Sequence, residues 1–332
     1  MRVDPLAVVE AAYRLDVDDQ AWLQTLAELI GPLLQDGLGV AASLADGTSM
    51  VPAPARVLAL GGLELTPALV SSLEYMYAFT ARSHSIARRF LTKGALTSIQ
   101  RCLGEQFAEV GPTLQSFGIS DAVLLLCGDA FGRMCTLAAP RARRAALPRH
   151  RRHLLELLSA HVAAGTRLRA HRLASALEGA AVEAVLTPDG RVLDARNAAQ
   201  SQHGRALLRE AVARSEQARG ALRRRDPVAA LSLWQALVGG RWSLVDVFDR
   251  DGKRFVVARH NEPPVARRLA LTAREAQVVE LVARNHPPKL IVYQLGLTRE
   301  SVATHLRRAL AKLGLRHRAE LSALFLASRG EL

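Results

Sequence analysis

Cys127 and Cys135 flank the stretch Gly128-Asp129-Ala130-Phe131-Gly132. A hairpin turned there would set the two thiols face to face, either as a reversible disulfide sensor or as small buried apolar groups. His150 and His153 stand three residues apart on a helical stretch, with His161 two turns further on. Paired imidazoles can ligate a metal, but Arg149, Arg151 and Arg152 surround them and local positive charge opposes a dication, so no metal is expected. Those arginines read instead as a solvated helix face. Trp234 and Trp242 are expected in the core of a small domain or, alternatively, lining a ligand cavity. One further basic run differs in kind. From Arg299 to Leu313, Val302, Leu306, Ala309, Leu310 and Leu313 form one apolar stripe and leave a basic outer face.

Catalytic chemistry finds no footing. The sequence has no P-loop, no GxGxxG and no GxSxG, and no nucleophile, base and orienting group can be aligned. The acidic cluster and lysine of a phosphoacceptor receiver are absent, as is the aromatic and acidic pattern of an acyl-homoserine-lactone pocket, which Trp22 alone does not supply. The chain is therefore read as a non-enzyme without cofactor, and any small-molecule ligand is unspecified.

The elements that position the basic helix are legible. Thr272 is placed to cap a first helix with Glu275 three residues later, and Val278, Val279, Leu281 and Val282 form its buried face. Pro287-Pro288 opens a short second helix over 289–294, which Gly296 ends through a left-handed residue. Thr298 caps the third helix, Gly314 ends it, and 318–325 makes a fourth with Leu321, Leu324 and Phe325 inward. Two short helices joined by Gly296-Leu297-Thr298, the second amphipathic and basic outside, make a geometry that enters the major groove.

Leu271-Thr272-x-Arg274-Glu275, Lys289-x-Ile291, Leu295-Gly296-Leu297, Val302-x-Thr304-His305, Lys312-Leu313-Gly314-Leu315 and Arg318-Ala319-Glu320-Leu321 resemble, without a gap, the LuxR-type DNA-binding domain. The resemblance spans about 50 of the 332 residues, roughly a sixth of the chain. It implies base reading by Ala303, Thr304 and Arg307, with Arg307 suited to a bidentate guanine contact and Thr304 to a thymine methyl. It implies phosphate contacts by Lys289, Thr298, Ser301, His305 and Arg308, with Arg299 beside them. Three positions depart from the family pattern: Ala303 where lysine is common, Leu290 where an acid is usual, and Pro287-Pro288 in place of a polar pair.

Upstream, the patterns predict an α+β fold built on antiparallel sheets. Helices are expected around Val8–Leu15 and Trp22–Leu33, the latter kinked or shortened by Gly31-Pro32. Strands follow over 38–44 and 56–60, then a helix from Thr66-Pro67 to about Arg89, and a hairpin of 122–127 with 133–138. A long basic helix from about Pro148 to Leu177 carries a broken apolar stripe, as a connecting and dimer-forming element would. A second unit contains the hairpin 182–186 with 191–194, helices over 203–218 and 226–238, and strands over 242–248 and 255–259. The expected division is 1–147, connecting helix 148–178, 179–262, linker 263–267 and 268–332. The element order of the first unit is similar to a GAF domain, and the second resembles a PAS-like module through Pro188-Asp189-Gly190-Arg191-Val192 and Asn197-Ala198-Ala199. Such folds sense small molecules or partner proteins.

Composition agrees with a DNA partner. The 332 residues are 49% apolar and carry a net charge of +13. Between Pro263 and Leu332, 12 Lys and Arg oppose 5 acids, so +7 of that +13 lies in the last 70 residues. With 40 Arg against 4 Lys, part of the excess reads as the drift of a GC-rich genome. No apolar run reaches the ~18–20 residues of a membrane span. Asp4, Pro5 and Asp16 stand where a secretory signal would be basic and then apolar, and three cysteines form no bridge framework, so a cytoplasmic protein without a membrane partner is expected. The reading is a transcriptional regulator that binds double-stranded DNA as a homodimer under the control of an effector or partner protein. Two others compete: a protein-interaction adaptor whose helix-turn-helix no longer reads DNA, and a sensor enzyme.

Overall fold

The computed structural model describes residues 3–34, 38–45, 58–61, 75–76, 92–128, 134–143, 146–175, 182–261 and 271–327. The helix expected over 66–89 lies outside the described residues except at 75–76. Helices α1 (Pro5–Ala12) and α2 (Asp19–Leu34) precede strands β1 (Val40–Ala45) and β2 (Leu58–Gly61). Then come β3 (Leu96–Ser98), α3 (Ile99–Leu103), α4 (Phe107–Ser116), β4 (Asp121–Gly128), β5 (Met134–Arg141) and α5 (Arg149–Ser175).

The five strands form one antiparallel sheet in the order β2-β1-β5-β4-β3. Strand β4 is buried along its whole length, because helices cover both faces. On one side α1, α2 and α5 pack over Val40, Ala42, Leu125, Leu137 and Ala139. On the other, Ile99, Leu103, Phe107, Val110 and Leu114 from α3 and α4 cover Ala122, Leu124 and Leu126. The alternation of inward residues between the two sides is the period of two that a strand imposes. Asp4 caps α1 by accepting from the Leu6 N–H at 3.1 Å, with Pro5 at the first helical position. Helix α2 runs through Pro32 without ending at Gly31.

Helix α5 is the central rod of the molecule. Residues 157–169 are all buried, so this stretch presents no free stripe to a second copy, contrary to its expected role as a dimer-forming helix. The broken apolar pattern has a physical reason: the polar positions are paired inside the protein. Arg169 donates to Asp19 Oδ1 and to the carbonyls of Arg14 and Val17. Arg167 donates to Asn261 Oδ1 at 2.7 Å and Ser243 Oγ at 2.9 Å. At Gly165 the backbone of α1 comes so close that a Cβ would lie 2.1 Å from the Ala12 carbonyl oxygen.

A second antiparallel sheet, in the order β7-β6-β9-β8, is built from β6 (Val182–Leu186), β7 (Val192–Ala195), β8 (Trp242–Phe248) and β9 (Arg254–His260). Helix α6 (Gln202–Gln217) packs Leu208, Ala211 and Val212 over Ala184, Leu186, Trp242, Val256 and Ala258. The Trp242 indole N–H donates to the buried Glu183 at 2.8 Å. Helix α7 (Pro227–Leu233) follows, capped by Asp226, and ends five residues before the expected 238. Trp234 does not join the core of the small sheet. It packs in the cluster of α1, α2 and α5, with the Arg219 guanidinium 4.2 Å from its ring centroid. The last four helices are α8 (Ala273–Ala283), α9 (Pro288–Leu295), α10 (Arg299–Leu313) and α11 (Arg318–Ala327). No helix among the described residues is long and apolar enough to cross a membrane.

Candidate nucleic-acid interface

Helix α8 opens with a capping box. Thr272 Oγ1 accepts from the Glu275 N–H at 3.3 Å, and Glu275 Oε2 accepts from the Thr272 N–H at 2.7 Å. The same carboxylate oxygen receives Lys312 Nζ at 2.7 Å and so ties α8 to α10. Burial pushes the Glu275 carboxyl up, but Lys312 and the Thr272 cap outweigh it and hold it below the usual range. Helix α9 starts at Pro288 with Pro287 as its cap residue in extended backbone, so the unusual proline pair serves as a helix start. Gly296 ends it at φ 59° and ψ 38°. Thr298 then caps α10, accepting from the Ser301 N–H at 3.1 Å.

Helix α10 buries Val302 and Ala309, with Leu306, Leu310 and Leu313 half-buried around them. The remaining side faces solvent. Ala303 and Arg307, one helical turn apart, are exposed, and Thr304 beside them is half-buried. Arg299 and Arg308 are exposed, and so is Lys289 at the start of α9. Thr298 is exposed and Ser301 half-buried, but each is already engaged by the cap, in which Thr298 Oγ1 also donates to Ser301 Oγ at 3.0 Å. His305 sits on the flank towards Glu275. Its pKa is lowered, first by burial and then by the neighbouring arginines, so near neutral pH it offers an N–H more than a charge. Thus Ala303, Thr304 and Arg307 share one outward face, whereas Lys289 belongs to a separate helix.

The opposite side of this unit is not free. Leu237, from the segment after α7, completes an apolar cluster with Val278, Leu281, Ile291, Leu295 and Val302. Gln277 Nε2 donates to the Gly240 carbonyl at 3.2 Å, and Arg274 donates to the same oxygen. Gly94 N–H donates to the Arg284 carbonyl at 3.1 Å, joining α8 to the first sheet's domain. Tyr293 and Leu290 pack into the cluster of α1, α5 and α7. The apolar residue at 290, where the family carries an acid, therefore has a structural reason within this chain. The seating residues Arg274, Gln277, Leu290 and Tyr293 escaped the functional reading of the sequence. Only Leu290 gave a sign, by departing from the pattern.

Cys127 and Cys135 are direct cross-strand partners, both free and both buried. His161 faces no metal ligand: it lies between two tyrosines, and among the described residues no group of three or more His, Cys, Asp and Glu could hold an ion.

Residues 269–325 match the family of bacterial regulatory proteins, luxR family. This segment is a LuxR-type helix-turn-helix domain, standing behind an N-terminal region of mixed helices and antiparallel sheets. No curated protein matches the chain.

Proposed function

We propose that this protein is a sequence-specific transcriptional regulator in which α10 enters the major groove. The observation that carries the reading is the outward face of Ala303, Thr304 and Arg307 on a helix whose other side is fixed by its own core. Arg307 presents two parallel donors to a guanine edge, and Thr304 offers a methyl to thymine. Lys289, Thr298, Arg299, Ser301, His305 and Arg308 surround that face at the helix starts and flanks, as phosphate contacts do. Two copies on a two-fold DNA site complete the assembly.

The regions 1–147 and 179–262 serve in this reading as GAF-like and PAS-like sensory modules, joined by the helix of 148–178 and followed by the linker 263–267 and the DNA-binding unit 268–332. A five-stranded antiparallel sheet with helices on both faces, and a four-stranded sheet under one helix, support it. Their contacts with α8 and α9 give an effector or partner protein a physical route to the reading helix.

Binding of the full chain to genomic fragments, followed as salt rises, tests the proposal. Affinity should fall steeply as phosphate contacts release counterions. Arg307→Ala should cost about 1–3 kcal/mol and relax the preference at one base pair. Folded protein that ignores DNA even at low salt would instead support the adaptor reading, which the alanine at 303 still motivates.

A further inference from the structure

A cavity of about 330 Å³ opens in the first domain where the start of α5 meets the ends of β3, β4 and β5. Its walls are of two kinds. Leu96 and Val123 from the sheet and Leu147 from the approach to α5 make an apolar side. Arg101, Arg141 and Arg152 make a cationic one. Arg141 is buried, and its Nη2 is anchored on the Leu34 carbonyl at 2.9 Å. Arg101 is exposed, Arg152 is half-buried, and neither forms an ion pair with a described residue. One carboxylate, Asp121, lines the cavity, and its Oδ1 already accepts the N–H groups of Gln100 at 3.2 Å and Ala122 at 2.8 Å. Arg101 and Arg152 thus stand, without ion pairs among the described residues, beside a single carboxylate whose Oδ1 is engaged by backbone N–H groups. The positive end of the 27-residue helix α5 adjoins the same space.

Cations held beside an apolar wall without carboxylate partners select a ligand with the complementary division. We propose that this cavity binds a small organic acid, its carboxylate on Arg101 and Arg152 and its apolar body against Leu96, Val123 and Leu147. The inference rests on the reading of the N-terminal region as sensory and supplies its effector class. The volume lies at the small end of ligand pockets, which suits a single ring or a short branched chain.

Calorimetric titration of the full chain with benzoate as probe tests the site. Saturable binding is expected with a Kd of about 1 mM or tighter. Benzamide, which keeps the ring and loses the charge, and inorganic phosphate, which keeps a charge and loses the ring, should each bind at least about tenfold more weakly. The double substitution Arg101→Gln and Arg152→Gln, which removes both charges, should weaken benzoate at least about tenfold. Both side chains reach solvent, so the unfolding midpoint should stay unchanged and show that the fold is intact. The site is overturned by the absence of saturable benzoate binding, by phosphate binding as tightly as benzoate, or by an unaffected glutamine variant. DNA association of the same samples without acid reports separately on the regulator reading: benzoate binding without DNA association keeps the site and removes the regulator, and the reverse pattern removes the site alone.

Discussion

His161 Nε2 and Tyr293 Oη lie 2.6 Å apart in the protein interior, joining the central helix to the first helix of the helix-turn-helix pair. The protons can be placed consistently. Tyr293 donates to the Leu231 carbonyl at 2.8 Å, so its oxygen accepts from the His161 Nε2–H; Tyr13 Oη lies 3.2 Å from Nδ1 and 3.5 Å from the Ala236 carbonyl, and the shorter contact, to the unprotonated Nδ1 of a neutral ring, takes its proton. One neutral imidazole thereby ties together α1, α5, α7 and α9. Tyr293→Phe removes the shared oxygen and leaves a buried N–H and a buried carbonyl without it. A loss of about 1–3 kcal/mol in urea unfolding is expected, with faster amide exchange along α9. Unchanged stability and exchange would show that α9 is not seated on the central helix in solution.

The same burial gives stability a pH dependence. Desolvation lowers the His161 pKa to about 3. Desolvation, with the Arg284 charge second, lowers that of His286 to about 3 as well. Both are bound neutral in the fold and titrate near 6.5 once unfolded, so the unfolded chain takes up protons first as pH falls. Their stabilising contribution is fully present above pH ~6.5 and is lost as the pH falls from there towards about 3, at about 1.4 kcal/mol per pH unit for each histidine. Unfolding free energies at pH 7.5 and 5.5 should show this decline. A flat profile across that interval would contradict the buried neutral state of both rings.

Two glycines end helices in the same left-handed conformation but face different surroundings. Gly296 has φ 59°, and a Cβ there would lie 1.8 Å from the Leu237 carbonyl oxygen. Gly314 has φ 68° with nothing within 4 Å of a Cβ. Gly314→Ala should cost only the backbone strain, about 1–2 kcal/mol. Gly296→Ala adds a steric collision with backbone and should cost clearly more, displacing α9 from residue 237. Equal thermal midpoints for the two variants would mean that the contact at Leu237 does not persist.

Local chemistry made the last domain readable residue by residue. Thr272, Glu275, Gly296, Thr298 and Gly314 each act within one helical turn, and each stands where its cap or stop was expected. The strands of the second sheet and four of the five in the first were legible for the same reason, to within two or three residues at their ends, whereas the three-residue β3 was not read because so short a run shows no alternation. Helix α5 was harder to interpret. In the sequence its Arg167, Arg169 and His161 only break the apolar stripe, and their partners lie 76 to 155 positions away in the chain. Trp234 was assigned to the wrong core because sequence proximity favoured the small sheet, whereas Arg219 stacks on it within the larger cluster. The outward face of α10 was visible from its stripe, but the seating of α9 was not. Long-range pairing carries no periodic signature.

The cysteine pair illustrates how geometry and reactivity can part. Directly opposed residues of antiparallel strands have Cα atoms about 4.5–5.5 Å apart, a span that a disulfide can bridge. Cys127 and Cys135 hold such a register. A sensor thiol must also ionise and meet its oxidant, and here both sulfurs lie in the apolar cluster beneath the helices of the first sheet. Burial pushes both thiols above their ordinary pKa, with the second cysteine adding to the effect at Cys127. Even Cys102, less deeply placed, is pushed up to about 12, which leaves roughly one thiolate in ten thousand at pH 8. Native protein at pH 8 should therefore resist a thiol-specific reagent such as Ellman's and release all three thiols only in denaturant. Fast labelling of Cys127 or Cys135 in the native state, or loss of two hydrogens under a mild oxidant, would restore the redox-sensor reading.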